Sequence, residues 1–445
     1  MRWLLRAQHA DGSFGNTLPL AKERLLSTLS TVVALADLPE RYQDASVHRA
    51  RTTALTWLYD QTGDWQTGID TAGFELLLPA LLDQARAREL PLPYERFAGI
   101  SARREAKLGH IPPGLIYRVD TPLLHSLEFL GDSLDTVAVK DRIAANGSVA
   151  NSPSATAFYL TRAEDGRART YLDTLVRRRG DGSVPMVEPF EVFEAAWVLF
   201  NLSLAGEHPR QAQPHLLGLA RALTEDGVGV SAAGLRPDAD DTALTLSVLH
   251  RYGYPISAGP LRPFEGIDYF LTFPLERDAS VTANAHVLDV LQRSTPFPRQ
   301  QVMQQKVVRF LRDVRVDGDH WTDKWHGSPF YATAHAVFAL TALAPDLCTR
   351  ALRWLSRNQL EDGSWGWFGK GTAEETAHAV QAWLTVPEQL RQGLRIDLDK
   401  ADDYLREKGG ETQPQMWIGK TVYAIEPIVS SAILSARLLL ARRRP

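Results

Sequence analysis

Gln359-Leu360-Glu361-Asp362-Gly363-Ser364-Trp365-Gly366 follows a helix-patterned stretch, Ala351-Leu352-Arg353-Trp354-Leu355, and precedes Thr376-Ala377. Asp-Gly ends a helix because glycine enters the left-handed backbone region freely and Asp bonds into its own turn. The order is therefore helix, turn, helix. It recurs at Asp11-Gly12, Asn146-Gly147, Asp181-Gly182, Asp226-Gly227 and Asp317-Gly318. From Gly182 onward the spacing is about 45 residues or twice that, a period of helical-pair arrays. A second helix opens soon after most turns with a Thr-Ala pair: Thr156-Ala157, Thr242-Ala243, Thr333-Ala334 and Thr376-Ala377. Thr282-Ala283 joins the set. Apolar residues then recur at helical spacing, as in Ala336, Val337, Ala339, Leu340 and Leu343. The pattern predicts an all-α chain of paired outer and inner helices, closed into α/α barrels whose small residues let the inner helices crowd together. Gln8-His9-Ala10-Asp11-Gly12-Ser13-Phe14-Gly15 repeats the Gln359 motif. Its Gln is expected to satisfy carbonyls left open at a helix end, under cover of the aromatic ring.

One inner helix opens differently. Arg236-Pro237-Asp238-Ala239-Asp240-Asp241-Thr242-Ala243 crowds three carboxylates into four positions ahead of Leu244, Leu246, Val248 and Leu249. A helix start accounts for one or two of them, as N-cap and as partners of the helix dipole. Three together raise one another's pKa, so that one carboxylic acid stays protonated near neutrality and serves as a proton donor.

Composition sets the outer bounds. The chain has 445 residues, 44% hydrophobic and 23% charged, with 11 Trp and a net charge of −4. That length fits about two to three domains, and no basic surface calls for nucleic acid. The basic cluster Arg437 and Arg442 to Arg444 reads as a solvated helix end. A single cysteine, Cys348, leaves no internal disulfide and fits the reducing cytoplasm. No apolar run reaches membrane-spanning length.

Taken together, the Gln-x-x-Asp-Gly-Ser-Trp-Gly repeats and Asp-x-Asp-Asp-Thr-Ala resemble class II terpene cyclases of the copalyl-diphosphate-synthase type. Shared blocks run along nearly the whole chain: Arg24 to Leu29, Gly73-Phe74-Glu75 with Pro79 to Leu82, and Ile111-Pro112 before Leu123-Leu124-His125-Ser126-Leu127-Glu128. Ser152 to Ala157 and Asp323-Lys324-Trp325-His326-Gly327-Ser328-Pro329 complete them. The resemblance implies two α-barrel domains, a γ-like one over residues 1–190 and a β-like one over 191–445. It implies that a linear isoprenyl diphosphate is protonated at its terminal alkene, closes rings in sequence and loses a proton, with the diphosphate retained. Geranylgeranyl diphosphate to a bicyclic copalyl-type product is the favoured reaction; farnesyl diphosphate to a drimenyl-type product is the alternative. A segment that precedes the first repeat in the family has no counterpart here, which reads as a truncated start.

By the same resemblance Asp240 is the general acid, with Asp238 and Asp241 as its hydrogen-bonding or charge-sharing partners. Glu75 helps bind magnesium and diphosphate. Lys324 meets the diphosphate as a point charge, with Arg24 and Lys420 as weaker candidates. Tyr331 and Trp325 are candidates to line the substrate cavity and steady cations by their ring faces, as are Trp321, Phe330, Trp365, Trp367 and Phe368. His125 matches a histidine that helps hold the deprotonating water in plant enzymes; its Asn partner is replaced by Met186, which orients water poorly. Asp402-Asp403-Tyr404-Leu405-Arg406 lacks the last Asp of a diphosphate-ionising motif and reads as a solvated helix face. The product is thus expected to pass, diphosphate intact, to a class I synthase or a phosphatase.

Other readings are a squalene–hopene-type cyclase, a zinc prenyltransferase subunit built on Asp346 and Cys348, and a non-catalytic helical scaffold. The prenyltransferase lacks its third ligand, since no histidine follows His378. An inert scaffold has no use for a strained acidic cluster.

Overall fold

At four of the Asp-Gly and Asn-Gly turns, those of Asp11, Asn146, Asp181 and Asp362, the acidic or amide oxygen folds back on the chain. Asp362 Oδ1 accepts from Ser364 N at 3.0 Å and Ser364 Oγ at 2.6 Å, and Asn146 does the same for Ser148. Gly363 sits at φ +87° with its α-carbon against Lys400, where a Cβ would lie 2.3 Å from the lysine Cβ. The residue beyond the turn is then tied to the next inner helix. Trp365 N donates to Thr376 Oγ1 at 3.0 Å, Trp321 N to Thr333 at 3.1 Å, and Val228 N to Thr242 at 2.9 Å. Phe14 N to Thr28 and Val149 N to Thr156 repeat the bond. Each of these five Thr residues is thus a lock between turn and helix.

In one repeat the expected register is two residues early. Phe270 N donates to Asn284 Oδ1 at 2.9 Å, and Asn284 Nδ2 returns a bond to Phe270 O. An amide supplies both the acceptor and the donor of a hydroxyl, so Asn284-Ala285, not Thr282-Ala283, is the equivalent pair. The Gln motif also works differently from expectation. Trp365 Nε1 takes the helix-end carbonyl of Leu355 at 2.9 Å, and Trp321 takes that of Leu311 at 2.7 Å. Gln359 instead reaches the next outer helix, bonding Asp397 through both its carbonyl and its amide.

This is a computed structural model; it describes residues 2–60, 64–66, 68–118, 121–274, 276 and 278–443. It is mostly helical and divides into two units. The first comprises Met1–Pro189, Ala233–Leu235 and Ile418–Tyr423; the second comprises Phe190–Ala232, Arg236–Trp417 and Ala424–Pro445. The longer helices of the first are α1 (Ala21–Ala36), α2 (Ala45–Asp60), α3 (Phe74–Ala87), α4 (Ala98–Gly109), α5 (Pro153–Leu160) and α6 (Gly166–Arg179). Helices α1 and α3, the kinked segment Pro122–Ser133 and α5 follow one another as the inner row. Phe14, Leu29, Phe74, Leu78, Leu127 and Phe129 are among the residues of their shared core.

The second unit holds α7 (Glu191–Leu204), α8 (Gln213–Ala222), α9 (Ala239–Arg251), α10 (Val281–Arg293), α11 (Gln300–Asp313), α12 (Pro329–Leu340), α13 (Pro345–Arg357), α14 (Ala373–Thr385), α15 (Leu398–Lys408) and α16 (Glu426–Arg443). Helices α7, α9, α10, α12, α14 and α16 pack side by side and the last returns to the first. The remaining four lie outside them. This closed double ring is an α/α barrel. Inner helices α9, α10, α12 and α14 are buried almost all round, whereas α13, outside, is strongly amphipathic.

Asp402 is buried and paired with Arg406 at 2.9 Å, while Asp403 and Arg406 are exposed, so the stretch is solvated except at Asp402 and Leu405. Arg442 and Arg443 pair with Glu207 and Asp399, and Arg444 lies outside the described residues. Among the described residues no helix is long and apolar enough to cross a membrane. Cys348 is buried and burial pushes its thiol up to about 12, the opposite of a zinc thiolate.

Candidate active site

The locking residue sets a common register for the inner helices. Two positions before it stand Asp240, Thr282, Tyr331 and Glu374; two positions after it stand Leu244, His286, His335 and His378. All eight are buried. Asp240 retains 8% of its surface, the most of the eight.

Each aspartate of the cluster has its own environment. Asp238 is the N-cap of α9, its Oδ1 accepting from Asp240 N at 2.9 Å and Asp241 N at 2.8 Å. Burial, aided by the charge of Asp240 and opposed by the hydrogen bonds from Asp241, pushes Asp238 up to about 7. Asp241 is raised well above the carboxylate range, by burial first and then by Asp238. Asp240 Oδ1 meets His286 Nδ1 at 2.5 Å, and His286 Nε2 meets His335 Nδ1 at 2.6 Å. The cluster therefore offers one acid with an open flank and a histidine behind it.

Aromatic rings surround this chain. Trp197 Nε1 donates to Tyr331 Oη at 2.8 Å. Tyr331 lies 4.3 Å from the His335 ring and 5.0 Å from Trp417, and Phe193 stacks on Trp197 at 3.7 Å. Burial, and next the charge of Asp240, raises the Tyr331 phenol well above its usual value, so it remains a neutral donor. Glu374 Oε1 accepts from Trp417 Nε1 at 3.0 Å and is 3.3 Å from His326 Nε2.

Lys324 and Trp325 are in this unit, but Lys324 is not a free cation. It pairs with Glu276 at 2.6 Å, donates to Asp278 O and lies over the Trp325 ring at 4.9 Å. Trp321 and Trp365 are consumed by helix-end carbonyls, as above. Trp367 is exposed.

Glu75 and His125 belong to the first unit. Glu75, in the first turn of α3, is held by Arg103 at 2.6 Å and Lys107 at 2.9 Å. Arg103 also takes Asp70, which pairs in turn with Lys22. Three cations meet two carboxylates, and this set does not fit a resident magnesium ion. It fits an anion better. Among the described residues no group of three His, Cys, Asp or Glu converges on a metal position. His125 Nδ1 donates to Ala150 O at 2.9 Å, and burial, then the charge of Lys420, lowers it to about 4. Lys420 is buried among Glu128, His125 O, Ser152 and Ser154, so its charge too is already matched. Arg24 pairs with Asp11. Met186 packs its methyl against Gly419, where a Cβ would lie at 2.3 Å.

Residues 273–387 match the family described as the squalene-hopene cyclase C-terminal domain. Over 98% of its length the chain is 32% identical to a type B diterpene cyclase of Mycobacterium tuberculosis, covering 90% of that protein. It is 33% identical to a copalyl diphosphate synthase of Streptomyces cyslabdanicus, over the whole of this chain and 88% of the other. The chain belongs to the class II terpene cyclases. The solved ent-copalyl diphosphate synthase of Streptomyces platensis superposes with a TM-score of 0.80 at 29% identity, covering 99% of this chain and 90% of that one. In this cyclase the sequence reading missed His286, His335, Trp197, Glu374 and Trp417. A signal for two of them was present: Asn284-Ala285-His286, Thr333-Ala334-His335 and Thr376-Ala377-His378 place a histidine at the same step of three inner helices. Trp197 and Trp417 carry no such mark.

Proposed function

We propose that this cyclase protonates geranylgeranyl diphosphate at its terminal alkene from Asp240 and closes it to a bicyclic, copalyl-type diphosphate. The observation that carries this reading is the division of labour at the start of α9. Asp238 is tied to backbone amides, Asp241 is sealed, and Asp240 alone has a flank free while His286 grips its other oxygen. Protonating an alkene requires a positioned acid in a water-poor site. The proton passes from the Asp240 carboxyl to an alkene carbon, and the π pairs of successive alkenes form the new C–C bonds. A carbon-bound proton next to the last cation then passes to water and Asp240 regains one from solvent, so the reaction is an isomerisation. No C–O bond breaks, and the diphosphate remains for a class I synthase or a phosphatase.

Aromatic faces at Tyr331, Trp197 and Trp417 suit cationic intermediates. Glu75, paired with Arg103 and Lys107, is matched by cations rather than set up to hold magnesium. His125, sealed and neutral, is left with a structural role. The names of the relatives in Mycobacterium and Streptomyces support a C20 substrate. We assign the enzyme to the cytoplasm, where its single buried cysteine needs no oxidised partner.

The test is an end-point assay with geranylgeranyl or farnesyl diphosphate, followed by phosphatase treatment and gas chromatography–mass spectrometry. A cyclic C20 alcohol that disappears in Asp240→Asn is the expected result. A cyclic product from farnesyl diphosphate alone would move the enzyme to the drimenyl type. Linear alcohols from both substrates would overturn the prenyl diphosphate reading.

A further inference from the structure

Asp240 does not end its hydrogen-bonded chain at His286. His335, from α12, closes on the far nitrogen of that ring, its own ring stacked at 5.5 Å on Phe200 of α7. Burial first, then the neighbouring His286, His378, His326 and Arg251, holds His335 well below the ordinary histidine value. It is therefore neutral and has a single N–H to place. Arg251, the cation that acts on His335, is already matched by Asp289 at 3.3 Å. Glu374 on α14 has its own donors in Trp417 and His326.

Two proton arrangements compete in such a chain. If His286 carries its proton on Nδ1, Asp240 Oδ1 accepts, and the carboxyl proton sits on Oδ2, free for an alkene. If His286 carries it on Nε2, the Nδ1 lone pair faces Oδ1 and takes the carboxyl proton for itself. Imidazole is a far stronger base than an alkene, so the second arrangement idles the acid.

We propose that His335 is a positioning residue that selects the first arrangement: its Nδ1–H fills His286 Nε2 and leaves His286 no place for its proton but Nδ1. The inference rests on Asp240 being the acid. It assigns His335 no contact with substrate. The precedent in principle is the buried carboxylate that fixes a catalytic histidine's tautomer, whose loss leaves geometry intact and costs about 10⁴ in kcat.

The experiment compares wild type with His335→Phe and His335→Asn by ¹⁵N-histidine NMR and by steady-state kinetics on geranylgeranyl diphosphate. Phe suits a pocket already lined by Phe200, Phe338 and Tyr331. Asn brings an amide N–H to the place of Nδ1. In wild type, His286 should be protonated at Nδ1 and bare at Nε2. His335→Phe should release the Nε2–H form and lower kcat by ~10²–10⁴-fold at nearly constant KM. His335→Asn should restore both the tautomer and most of the rate. A doubly protonated or Nε2–H His286 in active wild type would overturn the proposal, as would a Phe variant that keeps Nδ1–H or full kcat. A Phe variant slowed to the same degree as Asn, with the tautomer unchanged in both, would reduce His335 to packing. If wild type has the stated tautomer but makes no cyclic product from any prenyl diphosphate, the acid reading fails, and the positioning role with it.

Discussion

Asp238 and Asp240 stand two residues apart, and the chemistry of the second depends on the charge of the first. Asp238 has its pKa raised on folding, so between the ordinary carboxylate range and about pH 7 the folded chain binds more protons than the unfolded one. Stability therefore falls as pH rises through that window. Asparagine keeps the cap, because its side-chain oxygen accepts the same two amides, but it has no proton to lose. Melting temperatures of wild type measured from pH 4 to pH 8 should decline relative to those of Asp238→Asn, with the difference opening below about 7. Activity should follow the same group. Ionised Asp238 opposes formation of the Asp240 carboxylate, so kcat/KM should fall as pH rises through about 7, and the fall should move to higher pH in Asp238→Asn. A pH–rate profile identical in the two proteins would disconnect Asp238 from the acid. The acidic run itself was legible because it is local. The repeat marked the histidines but not their pairing: His286 is 46 residues from Asp240 and His335 a further 49. The pairing of Lys324 and Glu75 was hidden for the same reason, since the ions that meet them come from other segments.

At the scale of the element, the repeat is a mechanical joint made of a left-handed glycine, a side chain folded back on the turn, and a hydroxyl lock. The sequence exposes the first two because residue type dictates backbone there. It blurs the lock, since Asn284 can substitute for threonine and shift the apparent register by two. Gly363 shows how little freedom the joint has. A Cβ would meet Lys400 Cβ at 2.3 Å and the Lys400 carbonyl carbon at 2.6 Å, at a φ that side chains resist. Gly363→Ala should destabilise the protein by about 2–4 kcal/mol in denaturant titration. Gly253 has a similar φ of +90° with nothing near its Cβ position. The corresponding Ala there should cost only about 1 kcal/mol. Equal losses at the two sites would mean that backbone strain, not the packing of the joint, sets the cost.

At the scale of the whole molecule, the first unit is completed by a segment far from the rest of it in sequence. Trp417–Ile418 and Val422–Tyr423 form a short hairpin, and Ile418–Tyr423 belongs to the first unit although the chain around it builds the second. Its anchor is Lys420. The ammonium lies 2.8 Å from Glu128 Oε1, 2.6 Å from both His125 O and Ser152 Oγ, and 2.5 Å from Ser154 Oγ. Burial alone would lower the lysine and raise Glu128; the pairing offsets the first only in part, leaving Lys420 lowered, and reverses the second, leaving Glu128 below its usual value. Removing one partner strands the other. Lys420→Met leaves a buried carboxylate whose Oε2 already lacks a partner, and should cost about 3–5 kcal/mol. Because Glu128, His125, Ser152 and Ser154 are all in the first unit, hydrogen exchange should rise across residues 1–189 and change little in α9 to α14. Adding Glu128→Gln removes the stranded charge and should recover most of the loss. Exchange that rises equally in both units would mean that they unfold as one, and that the hairpin anchors the entire molecule rather than its first half.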